Sequence, residues 1–183
     1  LARQERELTG AGYAVAIEQI QADLDNVQTA WRRAITYSMV TELHRCVEAL
    51  FLFSEQHRFY LEVINLYAEA VHHFSSQQAQ QNHQSSAEIT LLLGRLQAYW
   101  VSRLARLGRF QQAQAAYDAS WSTLQLVDRP AATAACLGFM GELLKRNNPK
   151  RAAALLIEAV RLIEKTDKGW IKVLIYQVLG EIN

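Results

Sequence analysis

Glu69, His72 and His73 place a carboxylate and two imidazoles within about one helical turn, with Glu69 and His73 four residues apart on one helix face. Metal sites use that spacing, but a closed site takes three or four ligands and no second partner is evident in the sequence. The three residues therefore admit two readings: an all-helical metal-binding protein or enzyme built on them, or a solvated helix end, which is the plainer one. A second cluster is basic. Arg95, Arg103, Arg106 and Arg109 follow one another with no acid between Glu88 and Asp118. Guanidinium groups so arranged suit bidentate capture of a carboxylate, against the bland alternative of a solvated helix face. Nothing resembles a catalytic set: no Ser-His-Asp or Cys-His pattern occurs at meaningful spacing, and Asp23 and Asp25 are two apart, on different sides of a helix. Cys46 and Cys136 both fall on apolar helix faces, so two buried thiols in a reducing, cytoplasmic setting are expected rather than a disulfide. Tyr99, Trp100, Trp121 and Trp170 offer rings for a ligand cage, but Trp100 and Trp121 lie on packing stripes.

The elements that must position these groups are helices. Half of the 183 residues are hydrophobic, only Pro130 and Pro149 are prolines, and Ala, Leu, Gln, Glu and Arg, all good helix formers, dominate. No Asn-Gly or Asp-Gly hairpin signal appears. The net charge of +1 argues against a dedicated nucleic-acid or anionic-membrane surface. The apolar run from Ile89 to Leu107 contains Arg95, Arg103 and Arg106 and is too polar to cross a bilayer.

The chain is organised around one turn. Ile89, Leu92, Leu93, Leu96, Trp100, Leu104 and Leu107 form an apolar stripe that Gly108 ends, since glycine enters the left-handed region without steric cost. Phe110, Ala113, Tyr117, Ser120, Trp121 and Leu124 then recur at steps of three and four, with Phe110, Tyr117 and Trp121 expected to fill the space between two helices. Upstream, residues 1–38 read as a helical segment leading into an array that fills 39–183. Asp23, Asp25 and Asn26 either cap a second helix start within it or face water. Hairpins are expected at about 41–74, 87–127 and 130–166, with the start of a further one at 170–183. His57-Arg58-Phe59 stands as a poorer counterpart of Gly108-Arg109-Phe110. Residues 75–86 read as a Gln/Ser-rich linker, or as an exposed continuation of the preceding helix. Pro130 and Asn148-Pro149 mark helix starts, with Asn148 the cap. Val101, Gly141 and Gly180 stand at corresponding places, about 40 residues apart. One continuous domain is expected, cut from a longer chain, since it begins at Leu1 rather than Met and stops at Asn183 inside an apolar pattern.

The glycine, the aromatic two places on, Ala113, Tyr117 and Ser120 resemble the second half of a tetratricopeptide repeat. The stretch Ala22-Asp23-Leu24-Asp25-Asn26-Val27 with Ala30, Trp31 and Ala34 is similar to the segment that opens the helical repeats of bacterial signal-transduction ATPases with numerous domains, among them LuxR/MalT-type and antibiotic-regulator-type transcriptional regulators. His57 and the Asn147-Asn148-Pro149 turn depart from that pattern. The resemblance implies an all-α fold, a right-handed α-α superhelix of tetratricopeptide-like hairpins. It also implies a non-catalytic cytoplasmic segment of a larger signalling regulator that senses an effector or binds a protein or peptide, without direct contact to nucleic acid or membrane. Self-association is compatible with it. ATP is expected only in a separate module, because no Gly-x-x-x-x-Gly-Lys-Ser/Thr loop is present, and no cofactor is expected in this segment. In the repeat register Arg95, Ser102 and Arg106 point into the concave groove, and Glu142, Lys145 and Arg146 follow in the next repeat. These six are the candidate partner-binding residues.

Overall fold

The computed structural model describes residues 7–56, 60–80, 86–164, 166 and 168–182, with the backbone alone at 55, 56 and 60. Among these residues every regular element is helical. A short 3-10 turn at Glu7–Thr9 precedes α1 (Tyr13–Ala22), α2 (Leu24–Thr36), α3 (Val40–Gln56), α4 (Tyr60–Gln80) and α5 (Ala87–Arg106). Then come α6 (Phe110–Leu124), α7 (Pro130–Leu144), α8 (Pro149–Ile163) and α9 (Gly169–Ile182). The protein is all-α, and no helix among the described residues is long and apolar enough to cross a membrane. The chain divides into two compact units, Leu1–Leu96 and Gln97–Asn183, with the division inside α5.

In the first unit Asp23 separates α1 from α2, and the Asn26 side chain donates to its carboxylate. Leu8, Ala16, Ile17 and Ile20 pack with Ala49 and Phe53 of α3. Trp31 pins α2 to α4: its indole N–H donates to the Leu66 carbonyl at 3.0 Å, and its ring meets Tyr67 edge-on. The Tyr67 hydroxyl in turn donates to the Val47 carbonyl, tying α4 to α3. Residues 75–80 continue α4 instead of opening a linker, because Gln and Ala favour a helix with or without an apolar stripe. Residues 81–85 and His57-Arg58-Phe59 lie outside the described residues. Ser86 opens α5, its hydroxyl accepting from the Ile89 N–H.

Two helix ends use one device. At Gly108, with φ +71°, the Gly108 N–H donates to the Ala105 carbonyl and the Arg109 N–H to that of Leu104. At Ser38, with φ +48°, the Ser38 N–H donates to Ile35 and the Met39 N–H to Ala34. Both pairs of bonds satisfy the last orphan carbonyls of a helix in the same 6→1 and 5→2 pattern. A left-handed serine costs more than a glycine. The Ser38 hydroxyl offsets that by accepting from the Gln77 amide at 2.7 Å and lying 3.3 Å from His73 Nε2.

In the second unit α7 is buried on every side, with residues 134–141 all inaccessible, as expected of a helix apolar all round. Its glycines admit its neighbours. A methyl group on Gly141 would stand 2.6 Å from Leu156 Cγ of α8, and one on Gly138 would stand 3.2 Å from Ile175 Cγ1 of α9. α8 starts at Pro149, capped by the Asn148 side chain, which accepts from the Arg151 N–H. Gly180 stands 39 residues after Gly141, yet nothing comes within 4 Å of where its Cβ would be. The two glycines therefore respond differently to alanine. Gly141→Ala destabilises by about 1–3 kcal/mol through forced displacement of buried Leu156. Gly180→Ala is neutral or stabilises by up to about 1 kcal/mol. Urea unfolding followed by circular dichroism separates them.

Candidate functional site

The last turns of α5 and α7 and the first residue of α6 enclose a groove of about 390 Å³. Four of the six candidate residues line it: Ser102 and Arg106 from α5, Glu142 and Arg146 from around the end of α7. Phe110 forms part of the rim and is 57% exposed. The expectation that Phe110 fills the space between helices is thus corrected. As the first residue of α6, just past the Gly108 turn, it stands at the turn end of the hairpin, where it stays exposed. Arg106 Nη2 lies 3.8 Å from Glu142 Oε1. Arg146 makes no hydrogen bond or close ion pair among the described residues, and its charge acts on the Glu181 carboxyl of α9, helping to lower it. The groove thus brings two guanidinium groups and a carboxylate together beside an exposed aromatic ring. The ends of both helices favour cations there, because the C-terminal carbonyls carry partial negative charge.

The other candidates are spent elsewhere. Lys145 donates to Glu181, bridging α7 to α9, and that bond, with a second from Gln177, holds the Glu181 carboxyl below its ordinary range. Arg95 belongs to the first unit. Its Nη1 donates to the His44 carbonyl and lies 3.0 Å from His44 Nδ1, and its Nη2 reaches Glu48 at 3.5 Å. Glu48 is only 2% exposed, so Arg95 serves a buried polar network. Arg103, counted in the basic cluster, is fully buried and lines no open surface. A stripe of arginines in the sequence does not reveal which of them point inward.

Glu69 and His73 likewise have other partners: Glu69 pairs with Arg32 at 3.1 Å, and His73 contacts Ser38. Among the described residues no three His, Cys, Asp or Glu side chains are grouped as a metal would need. Both cysteines are free. Cys136 is buried, and burial pushes its thiol up to about 12, a hydrogen bond from Ser120 opposing the shift. Burial also raises Tyr117 to about 12, with the neighbouring Cys136 adding to it. Cys46 is only half-buried, a correction to the expectation of two buried thiols. Tyr99 stacks on Trp170 and meets Phe139, and Tyr117 stacks on Trp121, so these rings pack on each other rather than around an open cage.

A second groove, of about 470 Å³, lies in the first unit between α2 and α3. Val27, Trp31, Ala34, Leu43 and Cys46 make its apolar wall. The only signal in the sequence was the apolar stripe itself, whose incomplete cover becomes visible only once α4 is in place on the other side of Trp31. No protein family, no characterised protein and no solved structure matches this chain.

Arg95 and Arg106 are therefore not equivalent positions. Arg95→Glu sets a second carboxylate against buried Glu48 and removes three contacts, and costs about 2–3 kcal/mol of stability. Arg106→Glu costs less, about 1 kcal/mol or under, because its pair with Glu142 is longer, at 3.8 Å, and partly exposed. Thermal melts of the two single variants check the difference.

Proposed function

We propose that this chain is a non-catalytic, tetratricopeptide-like interaction or effector-sensing segment, forming a right-handed superhelix of helical hairpins within a larger cytoplasmic signalling regulator. The Gly108-x-Phe110 turn, the tetratricopeptide-like residues of α6 and the roughly 40-residue spacing support the repeat reading. So does the order of neighbours inside each unit: α2, α3 and α4 touch one another, as do α7, α8 and α9. Stacked hairpins bury a continuous core while leaving one surface for ligands.

The partner class is an acidic peptide or protein segment with an apolar side chain beside its carboxylate. One observation carries this reading: Arg106 and Arg146 line one groove with Glu142, rimmed by exposed Phe110. Guanidinium groups bind carboxylates in a fixed two-pronged geometry, and the ring gives an adjacent aliphatic group a surface to cover. The metal reading has no comparable support, since Glu69 and His73 are engaged with Arg32 and Ser38.

The expected outcome is measurable with an acidic, leucine-containing synthetic peptide in a titration calorimeter. Arg106→Glu combined with Arg146→Glu weakens binding by at least about tenfold, and the wild-type affinity falls as salt is raised. Equal affinities for wild type and the double variant would remove the groove from the proposal.

A further inference from the structure

His44, in the first half of α3, stands between two residues of α5. Its Nε2 lies 3.0 Å from the Glu88 carbonyl oxygen and 3.5 Å from a Glu88 carboxylate oxygen, and its Nδ1 lies 3.0 Å from Arg95 Nη1. Those partners fix where the ring carries its hydrogen. A guanidinium group has donors and no acceptor, so Nδ1 must offer its lone pair to Arg95. A carbonyl only accepts, so Nε2 must carry the hydrogen and donate it to Glu88. His44 is therefore held neutral, in the Nε2–H tautomer, with both ring nitrogens engaged. Its side chain is 14% exposed, so water reaches the ring poorly.

The same guanidinium serves two more acceptors on α3. Arg95 Nη1 donates to the His44 carbonyl at 3.0 Å, and Nη2 reaches the carboxylate of buried Glu48 at 3.5 Å. Ring, guanidinium and carboxylate thus join α3 to the first half of α5. A second proton on the ring can enter only at Nδ1, where it points at a hydrogen of Arg95. Two cations then meet at a contact built for one donor and one acceptor. Glu88 and Arg95 of α5 face the ring, and Glu48 stands one turn farther along α3. The two carboxylates help to set the pH at which the proton enters, but they do not change where it goes. His73 is the contrasting case. Its Nε2 lies 3.3 Å from Ser38 Oγ, and a hydroxyl donates to a neutral ring or accepts from a charged one.

We propose that His44 is an acid-sensitive latch: neutral, it bonds Arg95 and fastens the first half of α5 to α3; protonated at Nδ1, it drives the guanidinium away and loosens that half of the helix. One proton is taken up and no other reactant is needed. The stabilisation is present while the ring is neutral and is lost as the pH falls through the histidine range, from about 7.5 to 5.5. A change of one charge at a two-sided contact is the usual form of such a device. The latch lies wholly in the first unit, so it stands apart from ligand binding at Arg106 and Arg146.

Nitrogen-resolved NMR of the whole chain reads the latch directly. At about pH 7.5 the His44 ring should show a protonated Nε2 and a bare Nδ1. Hydrogen exchange, corrected for intrinsic rates, reads the consequence. Between about pH 7.5 and 5.5 the protection of amides 90–96 falls by at least about tenfold relative to that of amides 134–141. His44→Asn keeps an acceptor near the place of Nδ1 and cannot titrate, so its protection holds across that range to within about twofold while the chain's other histidines still titrate. Arg95→Gln shows the same constancy by another route, since an amide can turn its oxygen toward a protonated ring. Where one variant does not fold, the other decides. A hydrogen on Nδ1 at about pH 7.5 would overturn the proposal. So would wild-type protection indifferent to pH, or a loss on acidification that a folded variant shares in full.

Discussion

Leu156 occupies the space that a side chain on residue 141 would need. This close approach of α8 to α7, repeated less tightly where Ile175 of α9 meets Gly138, is the constraint on which the second unit depends. Dispersion falls steeply with distance, so two helices joined by small residues gain contacts that bulkier ones forfeit. The same approach buries residues 134–141 of α7 and leaves its ends partly exposed, among them Glu142, with Arg146 just beyond the last turn. There Glu142 and Arg146 line one groove with Arg106. The candidate site is thus a by-product of how the core closes: the helix buried along its length presents charge at its terminus, where its own dipole favours cations.

The first unit is ordered by directional bonds more than by small residues. Trp31, Tyr67 and Ser38 each spend a polar hydrogen or a hydroxyl on a neighbouring helix. Buried donors must find acceptors, so these bonds fix the angle at which α2, α3 and α4 meet as well as their distance. Arg95, His44 and Glu48 do the same for the start of α5. One result is that part of the apolar stripe of α2, where it faces α3, remains a hollow.

Much of the helical order was legible because the apolar residues keep a helical period and the punctuation is chemically distinct. Gly108 in the left-handed region and Asn148 as a cap follow from what those residue types do best. Arg106, Ser102, Glu142 and Arg146 were found together because Val101 and Gly141 mark a shared register on α5 and α7. What stayed hidden depends on the third dimension. Ser38 carries no glycine signal, and its turn is stabilised by Gln77 and His73, some 35 to 39 residues away. Arg95 and Arg103 look like Arg106 in a helical pattern, yet a buried acid claims the first and the second is fully enclosed. Residues 75–80 lack an apolar stripe and still coil, because propensity and continuity with α4 suffice.

Native-state hydrogen exchange tests the place of α7 most directly. A helix buried all round, closed at Gly138 and Gly141, opens only when its whole unit unfolds. The amides of residues 134–141 should exchange most slowly in the second unit, with a common opening free energy, while those of residues 75–80 exchange many times faster. Exchange of 134–141 as fast as 75–80 would contradict a core built on that helix.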